Sequence, residues 1–408
     1  MISYIALISL TIHNIKVQSE FYLGKDESKG FKDIFCCTKL LIQNYSCELL
    51  FAIVYSNCSL MELSLYILIY LLATTFALAP QIINERNTFI LWLSIAIALS
   101  ISIRLPLLIG GELNLDIGAY INKIESPLSD QGFLGGTYIL REFVFFYSMR
   151  ALKIILNNNF LVFIVFDTII FLLLYKGMTL IRKGFFPVLQ ISNTKYLFFA
   201  VLVFFPVIIG MHSLYRQLFS IILLILAIGL TINNKKIKGF FIFLLSIFSH
   251  NSSIIFITLI WALNGKLSYK YLAFAALIIS PFAIAFVLNS SNPYLLRVGA
   301  QLEIGRVIEY IYLFIFCTTT LIIMTLEGLK RRKNEKFGIF ILTLTLLTII
   351  YLIAVYSLSS LSSQRIAFTV FLIVFLMIGY YLEESFKHKV IMRLIYLNIS
   401  LLPLLYIY

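Results

Sequence analysis

Few residues in this 408-residue chain could do chemistry, and they fall at the ends of apolar runs or in the gaps between them. Arg104, Arg216, Arg297, Arg306 and Arg365 form one set. A guanidinium presents a planar fork of donors that grips phosphate or carboxylate at two points, so a group of them suits a substrate carrying phosphates. The candidate proton acceptors are Asp116, Glu142 and His250. Asp116 and Tyr120 stand four residues apart, on one face if their segment is a helix. His250 lies in Phe-Ser-His-Asn-Ser-Ser (248–253), and Arg216 and Gln217 lie in Met-His-Ser-Leu-Tyr-Arg-Gln (211–217).

Each residue also has a plainer reading. Arg104 could pair with Asp116, and Asp116 could cap a helix. Arg216 could anchor at the membrane interface, and His250 could be a satisfied core residue. Glu142 gains nothing from anionic lipid, so it either pairs with Arg141 or another Arg, or faces a site. Asp167 interrupts an apolar run, and an ionisable residue at such depth needs a partner. An Arg within the bundle is the expected one.

The elements that must position these residues are membrane helices. Hydrophobic residues make up 61% of the chain and charged ones 12%, against about 25% charged in soluble domains. That excludes a cytosolic enzyme and a conventional nucleic-acid binder. A crossing needs about 20 mostly apolar residues. Uncharged runs at 63–83, 87–103, 196–215, 217–234, 239–265, 271–296, 310–326, 337–364, 366–382 and 394–408, with 160–175 broken only by Asp167, predict an all-α polytopic protein of about ten to twelve spans. The net charge of +13 comes largely from Lys and Arg in short gaps, the mark of cytoplasmic loops.

Placing those gaps inside leaves Arg104, Arg216, Arg297, Arg306 and Arg365 outside, with Lys123, Arg141, Arg150 and Lys153. Segment 138–156 interleaves charge with aromatic residues and reads as an amphipathic helix at the outer interface. One run breaks the parity. Segment 239–265 has Lys-bearing loops at both ends, yet one crossing would place them on opposite sides. Its polar centre, Ser249 to Ser253, predicts a re-entrant hairpin with His250 near the outer tip, which is tolerated where the backbone is buried or lines a wet cavity.

Residues 1–60 differ in kind. They carry balanced charge, no long apolar run and four of the five cysteines, at spacings poor for zinc. The expected organisation is a dispensable extension over 1–60 and one membrane domain over 61–408. Cys317, in an apolar run, is expected to pack. No phosphate-cradling glycine loop or metal-ligand motif occurs, and neither a cofactor nor a metal is expected.

Arg104, Asp116 with Tyr120, Glu142, Tyr-Arg-Gln (215–217), then a Lys-rich inner loop and Phe-Ser-His-Asn-Ser-Ser in that order resemble the EpsG family. Its members are similar to Wzy-type polymerases of O-antigen, capsule and exopolysaccharide. The resemblance covers roughly 61–382. It implies a glycosyltransferase C-like helical arrangement in the bacterial cytoplasmic membrane, with the active site facing the periplasm or exterior. It also implies undecaprenyl-pyrophosphate-linked glycans as donor and acceptor. Asp116, His250 and Glu142 would be catalytic. Arg104, Tyr120, Arg216, Gln217, Arg297, Arg306 and Arg365 would bind substrate. A chain-length regulator and a flippase of the same pathway are possible partners, membrane lipid surrounds the chain, and nucleic acid is not a partner. An O-antigen ligase and a flippase are the competing readings. The late outer loops are short for a ligase, and no internal repeat supports a transporter.

Overall fold

The computed structural model describes residues 58–109, 115–125, 142–264, 307–331, 335–356, 360–386 and 388–401. Every extended element among them is helical, with no strand. The chain divides into two compact units, Met1–Ser64 and Leu65–Tyr408; almost all of the first lies outside the described residues. The helices are α1 (Cys58–Leu78), α2 (Glu85–Ile109), α3 (Leu115–Glu125), α4 (Phe143–Leu156), α5 (Asn159–Phe185), α6 (Lys195–Leu202), α7 (Phe205–His212), α8 (Tyr215–Ile232), α9 (Lys236–Ser249), α10 (Ile257–Ala262), α11 (Val307–Arg331), α12 (Glu335–Tyr356), α13 (Ser360–Ser385) and α14 (Lys389–Leu401). Short 3-10 turns at Ile191–Thr194 and Asn251–Phe256 precede α6 and α10.

Four described helices are long and apolar enough to cross a membrane, within α2, α5, α8 and α13, or five if the bent pair ending in α6 and α7 is one span. The chain is thus a multi-pass membrane protein. The larger number expected from the apolar runs is not reached among the described residues. Run 196–215, read as one continuous span, is instead two short helices that bend by 41°. Pro206, near the start of α7, has no amide hydrogen to give to an earlier carbonyl and clashes with the preceding turn. The segment ahead of Arg365, the end of apolar run 337–364, is helical from Ser360.

Among the described spans α8 and α13 are the most enclosed: 89% of the residues in the most apolar stretch of each are buried, against 44% for α2 and α5. Glycines let the neighbours of α8 come close. A Cβ on Gly229 would stand 2.8 Å from Leu180 Cβ and 3.2 Å from the Gly177 carbonyl of α5. One on Gly239 of α9 would stand 3.0 Å from the Ala227 carbonyl of α8. Small residues at such crossings allow the backbone approach that drives helix association in lipid.

Polar side chains fix the turns. Asn157 ends α4 in the left-handed region at φ 49°, and the Asn158 side chain then accepts the Leu161 amide at 3.1 Å to start α5. Asn tolerates that conformation and is a strong helix cap. On the side assigned to the cytoplasm by the loop charges, Glu383 grips Arg393 at 2.6 and 2.8 Å. The same guanidinium donates to the Ala77 carbonyl at 2.9 Å.

The segment after α8 doubles back. α9 has 14 residues, about 21 Å of rise, and ends at His250, where the backbone is extended. The Asn251–Phe256 turn and α10 return, and Lys236 Nζ donates to the Asn264 carbonyl. The two ends of the segment meet, so it is a hairpin rather than a single pass, compatible with the re-entrant reading. Cys317 of α11 is buried.

Candidate functional site

Three adjacent residues open α8, and each side chain reaches a different neighbour. Tyr215 Oη donates to Asp167 Oδ1 of α5. Asp167 also receives Arg104 of α2, Nε to Oδ2 at 3.0 Å and Nη2 to Oδ1 at 3.3 Å, and the Ser100 hydroxyl at 2.6 Å. Arg104 and Asp167 are fully enclosed, and the guanidinium lies over the Tyr215 and Phe163 rings at 4.6 and 5.0 Å. The expected Arg partner of Asp167 is therefore Arg104. The fork that sequence reasoning offered to substrate is occupied by a carboxylate inside the bundle.

Arg216 points elsewhere. Its Nη1 donates to Glu142 Oε2 and its Nε to Tyr120 Oη at 3.3 Å. The guanidinium stacks near Tyr120 at 5.3 Å and Phe146 at 5.7 Å. Glu142 is the residue before α4, in non-helical backbone, and its side chain makes no bond to its own helix's first amides. It reaches across to α8 instead. Gln217 Nε2 donates to the Arg365 carbonyl of α13 at 2.6 Å, while its Oε1 is buried without a hydrogen-bond partner among the described residues.

The hairpin brings in the fourth member. Ser220, one turn after Arg216 on α8, bonds the Ser246 carbonyl at 2.7 Å and the hydroxyls of Ser246 and Ser253. Ser246 Oγ returns a bond to the Ser220 carbonyl at 2.7 Å. This serine cluster pins both limbs of the hairpin to α8 and sets His250 with Nε2 3.8 Å from Glu142 Oε1. The Ser252 amide donates to His250 Nδ1. A neutral ring whose Nδ1 accepts carries its hydrogen on Nε2, the nitrogen facing Glu142. His250 stands at the break between helices, outside the long spans. Burial, then the charges of Arg365 and Arg216, push its imidazole down to about 3. Such a ring is a neutral hydrogen-bond donor near neutral pH and a weak base.

The structure thus brings Tyr120, Glu142, Arg216, Gln217, His250 and Arg365 together from α3, α4, α8, the hairpin and α13. Arg104 sits one layer deeper, joined to them through Tyr215. Asp116 is the second residue of α3, one turn ahead of Tyr120; its side chain lies outside the description, as do Arg297 and Arg306. Sequence reasoning did not single out Ser220, although its i, i+4 spacing from Arg216 puts it on the same face. No group of three or more His, Cys, Asp or Glu side chains placed to hold a metal occurs among the described residues. Chemically, the cluster can bind an anion at Arg216, donate a hydrogen bond from His250 and present a carboxylate at Glu142.

A family model described as the EpsG family matches residues 91–408, which include every member of this cluster. No curated protein and no solved structure matches the chain.

Proposed function

Because the chain belongs to the EpsG family, whose members are membrane proteins of polysaccharide biosynthesis, we propose that it is a glycosyltransferase of the Wzy polymerase type. It joins undecaprenyl-pyrophosphate-linked oligosaccharide repeat units on the outer face of the bacterial cytoplasmic membrane. The reaction transfers one glycan from its lipid diphosphate to a hydroxyl of another and releases the lipid diphosphate. It needs cations where charge develops on the leaving group and a base for the acceptor hydroxyl.

The observation that carries this reading is the convergence of Arg216, Glu142 and His250 at the start of the deeply buried helix α8. Arg216 binds the donor diphosphate, with Arg365, Arg297 and Arg306 as further cations. Tyr120 and Gln217 hold the guanidinium and α13 in place. His250 donates a hydrogen bond to substrate, and Glu142 or Asp116 takes the acceptor proton. Arg104 acts at one remove, as a positioning residue for the start of α8.

Comparing surface glycan in an intact strain and a deletion strain tests the proposal. A ladder reduced to one repeat unit supports the polymerase. Full-length chains left on the lipid mean a ligase, and lipid-linked units accumulating in the cytoplasm mean a flippase.

A further inference from the structure

Glu142 and Arg216 are in direct contact where the diphosphate of the proposed reaction would sit. Glu142 is buried, and its carboxylate faces only Arg216 and His250 among the described side chains. It makes no bond to the amides of α4 that would fix it there. Arg216 is half-buried, with its side chain 17% exposed, and a guanidinium so enclosed is costly to leave without an anion. A diphosphate offers more charge than a carboxylate and suits the same fork.

We infer that the Glu142 carboxylate is an internal ligand of Arg216 that the donor diphosphate must displace, and that displacement is what turns Glu142 into the base. The inference rests on the polymerase reading and gives that site an order of events. A carboxylate held against a guanidinium has its negative charge stabilised and is a poor proton acceptor; moved away from the cation, its proton affinity rises. Donor binding therefore switches on the group that activates the acceptor, and an acceptor hydroxyl alone meets a quenched base.

The step balances without a further reactant. The acceptor O–H bond breaks as its oxygen bonds to the donor anomeric carbon. The anomeric carbon–oxygen bond breaks with its electron pair passing to the diphosphate, and the proton goes to Glu142. His250 Nε2–H, beside the carboxylate, is placed to hold the oxygen that Glu142 leaves or the one that arrives. Loss of the proton from Glu142 to solvent restores a carboxylate that competes again for Arg216 and promotes release of the lipid diphosphate.

The test uses full-length protein in nanodiscs, with farnesyl diphosphate as the probe and farnesyl monophosphate as the control. Glu142→Gln removes the internal competitor and leaves Arg216 uncompensated, so farnesyl diphosphate should bind at least ten times more tightly than to the parent while turnover falls at least tenfold. Glu142→Asp, one methylene shorter, should shift both in the same direction by less, and it serves if the Gln variant fails to accumulate. Equal or weaker binding in these variants overturns the exchange and leaves the polymerase reading standing. Absence of saturable diphosphate binding in parent and variants alike overturns the polymerase reading itself.

Discussion

Asp167→Asn is the perturbation that best separates a structural Arg104 from a ligand Arg104. Asp167 is wholly buried, and its carboxylate holds Arg104, Tyr215 and Ser100. Asn keeps the shape but removes the charge, so Arg104 becomes an uncompensated cation with 2% exposure. Removing one partner of a buried pair costs about 3–5 kcal/mol, whereas replacing both with apolar residues is often neutral. At about 1.4 kcal/mol per tenfold, the lower figure is roughly a hundredfold in the folded population. The assay is the fraction of monodisperse protein surviving a heat step in detergent, for Asp167→Asn, Arg104→Met and the pair Arg104→Met/Asp167→Leu. Both single variants should melt well below the parent, and the pair should recover most of the loss. The recovered pair should bind farnesyl diphosphate with an affinity loss of less than about tenfold, or 1.4 kcal/mol, since Arg216 is untouched. Harmless single variants would refute the buried pair. A stable double variant with no diphosphate binding would return Arg104 to the substrate.

Arg216→Lys supplies charge without a fork; it should accumulate normally in the membrane yet lose most polymer, and wild-type chain length in this variant would remove Arg216 from the site. His250→Gln keeps a donor and His250→Ala does not, so turnover should survive the first and fall in the second. Because the folded imidazole is lowered to about 3 by burial, Arg365 and Arg216, with Glu142 the acid facing it, His250 stays neutral from there upward. The rate profile should then show no limb near pH 6.5 that disappears in His250→Gln. The same depression means that below the unfolded pKa the unfolded chain binds the extra proton, so this group weakens the fold as pH falls from about 6.5 toward 3; a parent more heat-resistant at pH 5 than at pH 7 relative to His250→Gln would contradict the sign. Gly229→Ala forces a Cβ to within 2.8 Å of Leu180 Cβ and should cost about 1–3 kcal/mol by overpacking. Gly118→Ala in α3 meets nothing within 4 Å and should gain up to about 1 kcal/mol of helix propensity; equal melting of the two variants would deny the α5–α8 close approach.

Much of the fold was legible because lipid leaves the backbone few choices. Apolar runs at 87–103 and 366–382 lie within α2 and α13, and run 217–234 covers α8 from its third residue and overruns its end by two. Parity of the Lys-bearing loops, with the polar break at Ser249 to Ser253, foretold that 239–265 turns back. The need to pair a charge at depth foretold that Asp167 meets an Arg. What sequence could not say was which Arg, because the choice depends on how far α2 slides along α5. Arg104 was offered to substrate on its type, its edge position and the family resemblance, and the first two hold equally for a residue folded inward. The bend after α6 was legible in principle from Pro206, but a wholly apolar run hides a break that charge would have marked. Ser220 was passed over because a serine in an apolar helix carries no signal until its partners in the hairpin are known.

The compactness of Tyr-Arg-Gln in sequence follows from helix geometry. Successive residues on a helix point about 100° apart, so three in a row at a helix start fan around most of its circumference. Tyr215 turns to α5, Arg216 to α3 and α4, and Gln217 to α13. One triplet therefore fixes α8 against four neighbours, and its middle member alone bonds Glu142. The outer two set the rotation of α8, and with it the direction of the Arg216 fork. A bidentate ion site fails when its fork is turned, even if its charge remains. That accounts for an Arg in this position flanked on both sides by residues whose bonds lie elsewhere, and for the buried charge pair beneath Tyr215, which holds still the residue next to Arg216.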